Sequence, residues 1–175
     1  YNGFFTILAN GDTYYWGSNI NASTPGDVGW TPGHATRVAS LDTWSKGRVG
    51  SGKPYVIAVD GGIDMGAAIL SDGSVLSWSH NGFANRIGNR GTGSAAANRP
   101  GLVPGLAKVT SMQFGFTGVL FGRSDSSLWG YGAADDVLYG GLATTPAKVA
   151  SSVVQYSSGQ GFYLWQVGMT FYGRG

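Results

Sequence analysis

The chain has 175 residues, a formal net charge of +2 at pH 7 and charged side chains at only 11% of its positions. It contains no cysteine, which excludes disulfides and thiolate metal sites, and its basic side chains do not form the stripe that follows a nucleic-acid backbone. We therefore predict no nucleic-acid partner. No apolar run approaches the roughly 18 residues that span a bilayer, so we also predict no membrane insertion.

The balance of residue types predicts an all-β protein with almost no helix. The chain has 31 glycines, six Trp, nine Tyr and eight Phe, and all nine of its acidic residues are Asp. Glycine and Asp favour turns, aromatic side chains favour strands, and the absence of Glu removes a good helix former.

The first predicted element is a β-hairpin over residues 7–19, in which Asn10-Gly11 separates two apolar runs. The same pattern returns without a gap at 69–81, with Asp72-Gly73 at the turn. Both dipeptides favour tight hairpins because the central residues of such a turn adopt positive φ.

Degenerate copies of this hairpin follow at 118–130 and 161–173. An aromatic residue near the end of each copy marks a repeat of about 40 to 60 residues, which is typical of propeller blades. These residues are Trp16, Trp78, Trp129 and Tyr172.

Each repeat carries two further strand signals between the hairpins. Pro-led segments at 100–106 and 146–149 fit the outer edge of a blade, because proline removes a hydrogen-bond donor from the ladder. The apolar strands that follow, at 55–62, 108–115 and 152–159, are expected to lie on the inner side.

Several short motifs resemble the regulator-of-chromosome-condensation (RCC) repeat, which has an Asp-Gly turn, a strand ending in Trp-Gly-x-Asn, and then Pro-x-x-Val. The matching residues are Asp72-Gly73, Trp16-Gly17-Ser18-Asn19, Trp129-Gly130 and Pro146-Ala147-Lys148-Val149. The resemblance covers essentially the whole chain, and the missing Gly-Gln-Leu-Gly run indicates a divergent member. The composition is most similar to that of bacterial or phage-like members. It implies an all-β fold, a β-propeller of RCC-type repeats.

Strand counting gives about fourteen strands, or roughly three and a half four-stranded blades. We expect one propeller segment over 1–175, with repeat units at approximately 1–54, 55–107, 108–151 and 152–175. Propellers typically close with 4–8 blades. We therefore expect missing sequence or another subunit to complete the ring, as a homo-oligomer or as part of a longer chain or assembly.

No motif predicts catalysis, a cofactor or a metal. The run from Gly47 to Pro54 resembles a phosphate-binding loop, but Pro54 cannot supply the hydroxyl and a strand-like segment follows it. His34 and His80 lack metal-ligand spacing. Two acidic pairs, Asp60 with Asp64 and Asp135 with Asp136, suit turns and loops better than acid–base chemistry.

Aromatic side chains are the remaining candidates for a contact surface. Trp16, Trp78 and Trp129 share one position of the repeat, so we assign them to packing between blades. Tyr131 and Tyr139 break the repeat and are assigned to variable loops. Exposed loop aromatics near an Arg are typical interface anchors, and the residues we predict to bind a partner are Trp30, Trp44, Phe83 and Arg86.

These observations predict a noncatalytic β-propeller module that presents variable loops to a protein or glycan partner. The weakly charged, Gly-rich composition suits an extracellular or virion surface. Two alternatives from other classes stay open: a protein inhibitor of a secreted enzyme such as β-lactamase, and a glycan-cleaving propeller enzyme.

Overall fold

The computed structural model of the protein describes residues 3–17, 31–62, 65–79, 99–115, 118–132, 143–159 and 162–174. Within these ranges it contains fourteen β-strands and one short 3-10 helix, as the composition predicts. The strands form four antiparallel sheets in succession along the chain.

The first sheet has the order β1-β2-β3, formed by Gly3–Ile7, Thr13–Gly17 and Thr31–Arg37. The 3-10 helix, Ala39–Trp44, follows it. The second sheet has the order β4-β5-β6-β7, formed by Val56–Gly61, Met65–Leu70, Val75–Ser79 and Gly101–Leu102.

The third sheet has the order β8-β9-β10-β11, formed by Val109–Phe114, Gly118–Arg123, Leu128–Gly132 and Ala143–Ala150. The fourth sheet has the order β12-β13-β14, formed by Val153–Gly159, Phe162–Val167 and Thr170–Arg174. The Pro-led segments lie in the edge strands β7 and β11 or immediately before them, and the strands after them form the opposite edge, as predicted.

The hairpin turns of the first three sheets repeat with one geometry. Gly11, Gly73 and Ser126 each have positive φ, at 90°, 80° and 60°, and each donates its N–H to the carbonyl three residues earlier. Asp125 accepts hydrogen bonds from the N–H and hydroxyl of Ser127, as Asp72 does from Ser74. A serine in the left-handed region therefore replaces the glycine in the third copy.

This turn geometry corrects the predicted alignment of the third and fourth copies. Trp16 pairs with Phe4 and Trp78 with Gly66, and the equivalent pair in the third sheet is Tyr131 with Val119. Trp129 lies two positions nearer the turn, because the alignment matched Trp-Gly rather than the turn itself. Tyr131 is buried in the core and is not a loop residue.

Three hydrophobic clusters join successive sheets. Tyr15 of the first sheet packs with Leu76 and Trp78 of the second. Ile69 and Val75 on the opposite face of the second sheet pack with Phe121 and Tyr131 of the third. Leu120 and Leu128 of the third sheet pack with Tyr163 of the fourth. Each central sheet is thus covered on both faces, which is the packing of blades in a propeller.

The connections after the outer strands β3 and β7 close the first two of these interfaces. Val38 and Leu41 insert into the first cluster, and Val103 and Leu106 insert into the second at equivalent positions. Val38 N donates to Thr13 O, and Val103 N donates to Val75 O, both at 2.9 Å. These pairs explain why a short apolar segment follows β3 and β7 in the sequence.

The outer face of the last sheet exposes apolar side chains. Leu164 and Phe171 are 45% and 65% exposed, whereas their counterparts in the third sheet, Leu120 and Leu128, are buried by the fourth sheet. On the first sheet, Phe4 is 54% exposed and packs edge-on against Trp16, with ring centroids 4.1 Å apart. The described sheets therefore form an arc that does not close into a ring.

Candidate functional site

One end of the blades forms a surface from hairpin turns and the connections between sheets. The turns at 8–12 and 71–74 lie at this end, together with the 38–55 segment that joins β3 to β4. The 38–55 segment is much longer than the equivalent connections at 103–108 and 151–152. Among the described residues, it is the longest connection at this end.

The 38–55 segment is anchored at both ends. Leu41 and Ser45 are buried, and Trp44 is half-buried against the cluster between the first two sheets. At the other end, Ser71 N donates to Tyr55 O at 2.8 Å, and Tyr55 N donates to Ser71 Oγ at 3.2 Å. These bonds join the segment to the second hairpin turn.

The middle of the segment is braced by its own side chains. The Arg48 guanidinium lies 5.0 Å from the centroid of the Trp44 ring and donates to Pro54 O at 3.0 Å. Ser51 donates to Arg48 O through its N–H and through its hydroxyl, at 2.9 and 2.6 Å. The Arg48 cation is attracted to the face of the Trp44 indole ring. Together with the hydrogen bonds, this attraction holds the exposed side of the loop in one conformation.

The first hairpin turn lies directly against this loop. A Cβ added to Gly11 would lie 2.8 Å from Ser45 O and 3.3 Å from Val49 Cγ2, so only glycine fits there. Val49 and Leu8 are 42% and 46% exposed. We name the surface formed by 8–12, 38–55 and 71–74 the turn surface.

Charges on the turn surface fall into two groups. Arg37 Nη2 pairs with Asp12 Oδ1 at 2.9 Å and with Asp42 Oδ1 at 3.0 Å, which occupies both carboxylates. Lys46 and Lys53 are exposed, and neither has an ion pair among the residues that the structure describes. Together with Arg48 they leave the loop cationic.

A groove of about 370 Å³ separates the loop from the second hairpin turn, and its lining includes Gly50, Lys53, Tyr55, Ser71 and Asp72. Desolvation acts to raise the pKa of Asp72, but hydrogen bonds from the Ser74 hydroxyl and N–H outweigh it and hold that pKa below its usual value. Asp72 is therefore a carboxylate at neutral pH, on the wall that also carries Ser71.

Of the four predicted partner-binding residues, the structure describes Trp44. One side of its ring faces the core and Arg48 lies over the ring, so Trp44 supports the loop that carries Val49. Trp30, Phe83 and Arg86 lie outside the described residues, as do Tyr139, His80, Asp64 and the pair at 135–136. The partner role of all four stays a prediction.

The other sequence candidates lie apart from the turn surface or lack the context they would need. His34 is exposed on β3. Asp60 lies on β4, where desolvation raises its pKa against the opposing hydrogen bond from Gly61 N–H. The run Gly47–Pro54 consists of turns that lead into β4, not into the helix that a phosphate-binding loop requires.

Two further findings concern metal sites and membrane-spanning helices within the described ranges. No three His, Cys, Asp or Glu side chains come together there as a metal site would require. Among the same residues, no helix has both the length and the apolar character needed to cross a membrane.

Lys46, Val49 and Leu8 were not among the site residues predicted from sequence. The signal that could have found Lys46 was the spacing of Lys46, Arg48 and Lys53 with no acidic residue between Asp42 and Asp60. Sequence alone did not reveal that Arg37 pairs with Asp12 and Asp42, because the first contact depends on how β3 lies against the first turn and the second on how the 3-10 helix follows β3.

The folded arrangement defines a class of protein, a β-propeller segment made of successive blades. Comparison with solved structures specifies the RCC type. The chain aligns with Prp20p of Saccharomyces cerevisiae with a TM-score of 0.70 and 20% identity, over 98% of this chain and 41% of that one. A second structure of the same protein, yeast RCC1 (Prp20) bound to Kap60, gives a TM-score of 0.69 and 19% identity, over 98% and 39%.

Human WBSCR16 aligns with a TM-score of 0.68 and 16% identity, over 94% of this chain and 42% of that chain. This protein therefore has the fold of an RCC-type repeat β-propeller, and it spans about two fifths of the length of these structures. Neither protein-family models nor curated protein sequences match the chain.

Proposed function

We propose that this chain is a noncatalytic β-propeller interaction module that binds a protein partner through the turn surface. The observation that carries the proposal is the braced loop at 45–54, which holds exposed apolar and cationic side chains on a rigid scaffold. Fixed loops of this kind bind with little loss of conformational entropy.

The structural neighbours support a protein partner. Prp20p has binding properties toward Gsp1p and histones, and the second yeast structure is a complex with Kap60. These partners belong to Prp20p, and the likeness in fold supports the kind of activity, protein binding, rather than the identity of any partner.

A displayed peptide library selected on the immobilised chain tests the proposal. We expect enriched peptides whose binding is lost in the Val49→Asp variant and kept in Val154→Asp, which alters an exposed valine on the last sheet. Equal loss in both variants, or no enrichment over a surface without protein, would contradict it. A parallel screen for glycan and peptide hydrolysis is expected to show no turnover.

We further propose an extracellular or virion setting, in which additional blades or another subunit cover the exposed face of the last sheet. The low proportion of charged residues and the apolar flank at Leu164 and Phe171 support this proposal. Surface labelling of the producing cell or particle tests the setting, and the labelled chain is expected outside the membrane.

A further inference from the structure

We infer that the turn surface selects an acidic partner segment, in which carboxylate side chains contact Lys53 and Lys46 while neighbouring apolar side chains contact Val49 and Leu8. This inference rests on the proposed function and specifies the chemistry of its partner.

Charge carries the first step. Lys46, Arg48 and Lys53 lie within eight residues of the chain, and no carboxylate occurs between Asp42 and Asp60. Arg37 already pairs with Asp12 and Asp42, so those two carboxylates are occupied. The exposed lysines are thus available to a negatively charged ligand that approaches from solvent.

Apolar surface beside the cations carries the second step. Val49 Cγ2 lies against Gly11 in the first hairpin turn, and Leu8 begins the same turn, so both exposed apolar side chains belong to the region where this turn meets the loop. A partner that carried only charged side chains would leave the Val49 and Leu8 side chains exposed to solvent. An alternation of acidic and apolar side chains matches both features.

Rigidity carries the third step. Arg48 is fixed between the Trp44 ring and Pro54 O, and Ser51 closes the turn before Lys53. The backbone that presents the two lysines is therefore ordered before a partner arrives, which reduces the entropic cost of binding.

Asp72 makes the two walls of the groove opposite in charge. It lies in the same groove as Lys53 and is negatively charged at neutral pH. A partner carboxylate is therefore attracted to the Lys53 wall and repelled from the Asp72 wall. Removing the Asp72 charge is expected to tighten the binding of an acidic ligand, whereas it should not affect a neutral one.

The test uses three short fluorescent peptides in which Leu alternates with Glu, with Gln or with Lys, and measures binding by fluorescence anisotropy. We expect the Glu peptide to bind the unmodified chain, and the combined Lys46→Glu and Lys53→Glu variant to bind it about tenfold more weakly. The Asp72→Asn variant is expected to bind it more tightly, and added salt to weaken it.

The matched control is Lys148→Glu at an exposed position on β11, which makes the same charge change as the single Lys53→Glu variant and is compared with it. It is expected to leave affinity within about twofold, because rim charges far from a contact are screened. Circular dichroism of each variant checks folding, which exposed lysines should not affect.

Two outcomes would overturn the inference. Equal binding of the Gln and Glu peptides would remove acid selectivity, and the proposed function would survive if Val49→Asp still abolished that binding. An equal effect of Lys148→Glu would show attraction by net charge rather than by this site. Failure of the library selection as well would remove the proposed function itself.

Discussion

The hydroxyl of Tyr156, on the first strand of the last sheet, accepts a hydrogen bond from the backbone N–H of Gly122 at 3.0 Å. The same hydroxyl lies 2.7 Å from Ser111 Oγ. Irregular pairing between Val109 and Ser111 frees the Gly122 N–H from the ladder, and a Cβ on Gly122 would collide with the Tyr156 ring. One bulge and one glycine thus create a polar link between neighbouring blades.

Loss of the Tyr156 hydroxyl should loosen this link. The Tyr156→Phe variant leaves the Gly122 N–H without its acceptor, and we expect the free energy of unfolding to fall by about 1–2 kcal/mol. Chemical denaturation measures the change. Tyr172→Phe, at a 46% exposed tyrosine, is the matched control and should leave stability within about 0.5 kcal/mol. An equal effect in the two variants would rule out the link.

The same tyrosine predicts how stability depends on alkaline pH. Desolvation raises the pKa of Tyr156 above the ordinary value of 10.0, although hydrogen bonds from Ser111 and Gly122 act in the opposite direction. A raised pKa in the folded state favours the protonated phenol, so its contribution is complete below the unfolded pKa and is lost as pH rises through the folded pKa.

Denaturation midpoints measured from neutral pH to above pH 10 should therefore decline. The decline should be shallower in Tyr156→Phe, because the variant has no phenol at this position to ionise. Parallel declines in the two proteins would show that other groups govern the alkaline limit.

Two glycines with similar backbone angles should respond differently to alanine. Gly73 has φ of 80° and a built Cβ only 2.8 Å from Lys108 Cα, whereas Gly105 has φ of 74° and nothing within 4 Å. Both alanine variants should lose about 1–2 kcal/mol of stability to positive φ. Gly73→Ala should lose a further 1–3 kcal/mol or so, because backbone cannot move away as a side chain can. Equal losses in thermal denaturation would contradict this.

The apolar flank of the last sheet should govern self-association of the 175-residue chain. The double variant Leu164→Gln and Phe171→Gln is expected to sediment as a smaller species at high concentration and to bind less of a hydrophobic dye. Unfolding stability should change little, because both side chains are largely exposed.

The control for the flank is Leu128→Gln, the buried counterpart of Phe171 in the third sheet. It should destabilise the chain by more than about 2 kcal/mol, because it buries a polar group and leaves a cavity. Unchanged sedimentation of the double flank variant would show that this face does not mediate contact between chains.

Sequence patterns predicted the architecture of this chain more accurately than its register or its surface. Hairpins were recognisable because Asn10-Gly11 and Asp72-Gly73 are local turn signals, and the repeat then implied blades. The third copy was misaligned because its turn uses Ser126, whose positive φ no composition rule indicates. The burial of Tyr131 depends on that register, so the sequence alignment did not predict it.

The surface was harder to predict because its properties depend on distant contacts. Trp44 is predicted to contact a partner, and the structure shows that its ring packs against the core and under Arg48. Lys53 belongs to the run that resembles a phosphate-binding loop, whereas the structure places it in a groove whose lining also includes Asp72. Such pairings arise when separate blades meet, so local sequence does not contain them.

Side-chain nuclear Overhauser effects test the central claim, that the four sheets stand as successive blades joined by separate clusters. We predict cross-peaks between sheets within each cluster: between Tyr15 and Trp78, from Ile69 or Val75 to Phe121 or Tyr131, and between Leu128 and Tyr163. Cross-peaks joining Trp78 directly to Tyr163 would mean a single core between stacked sheets, as in a β-sandwich, and would contradict the propeller arrangement.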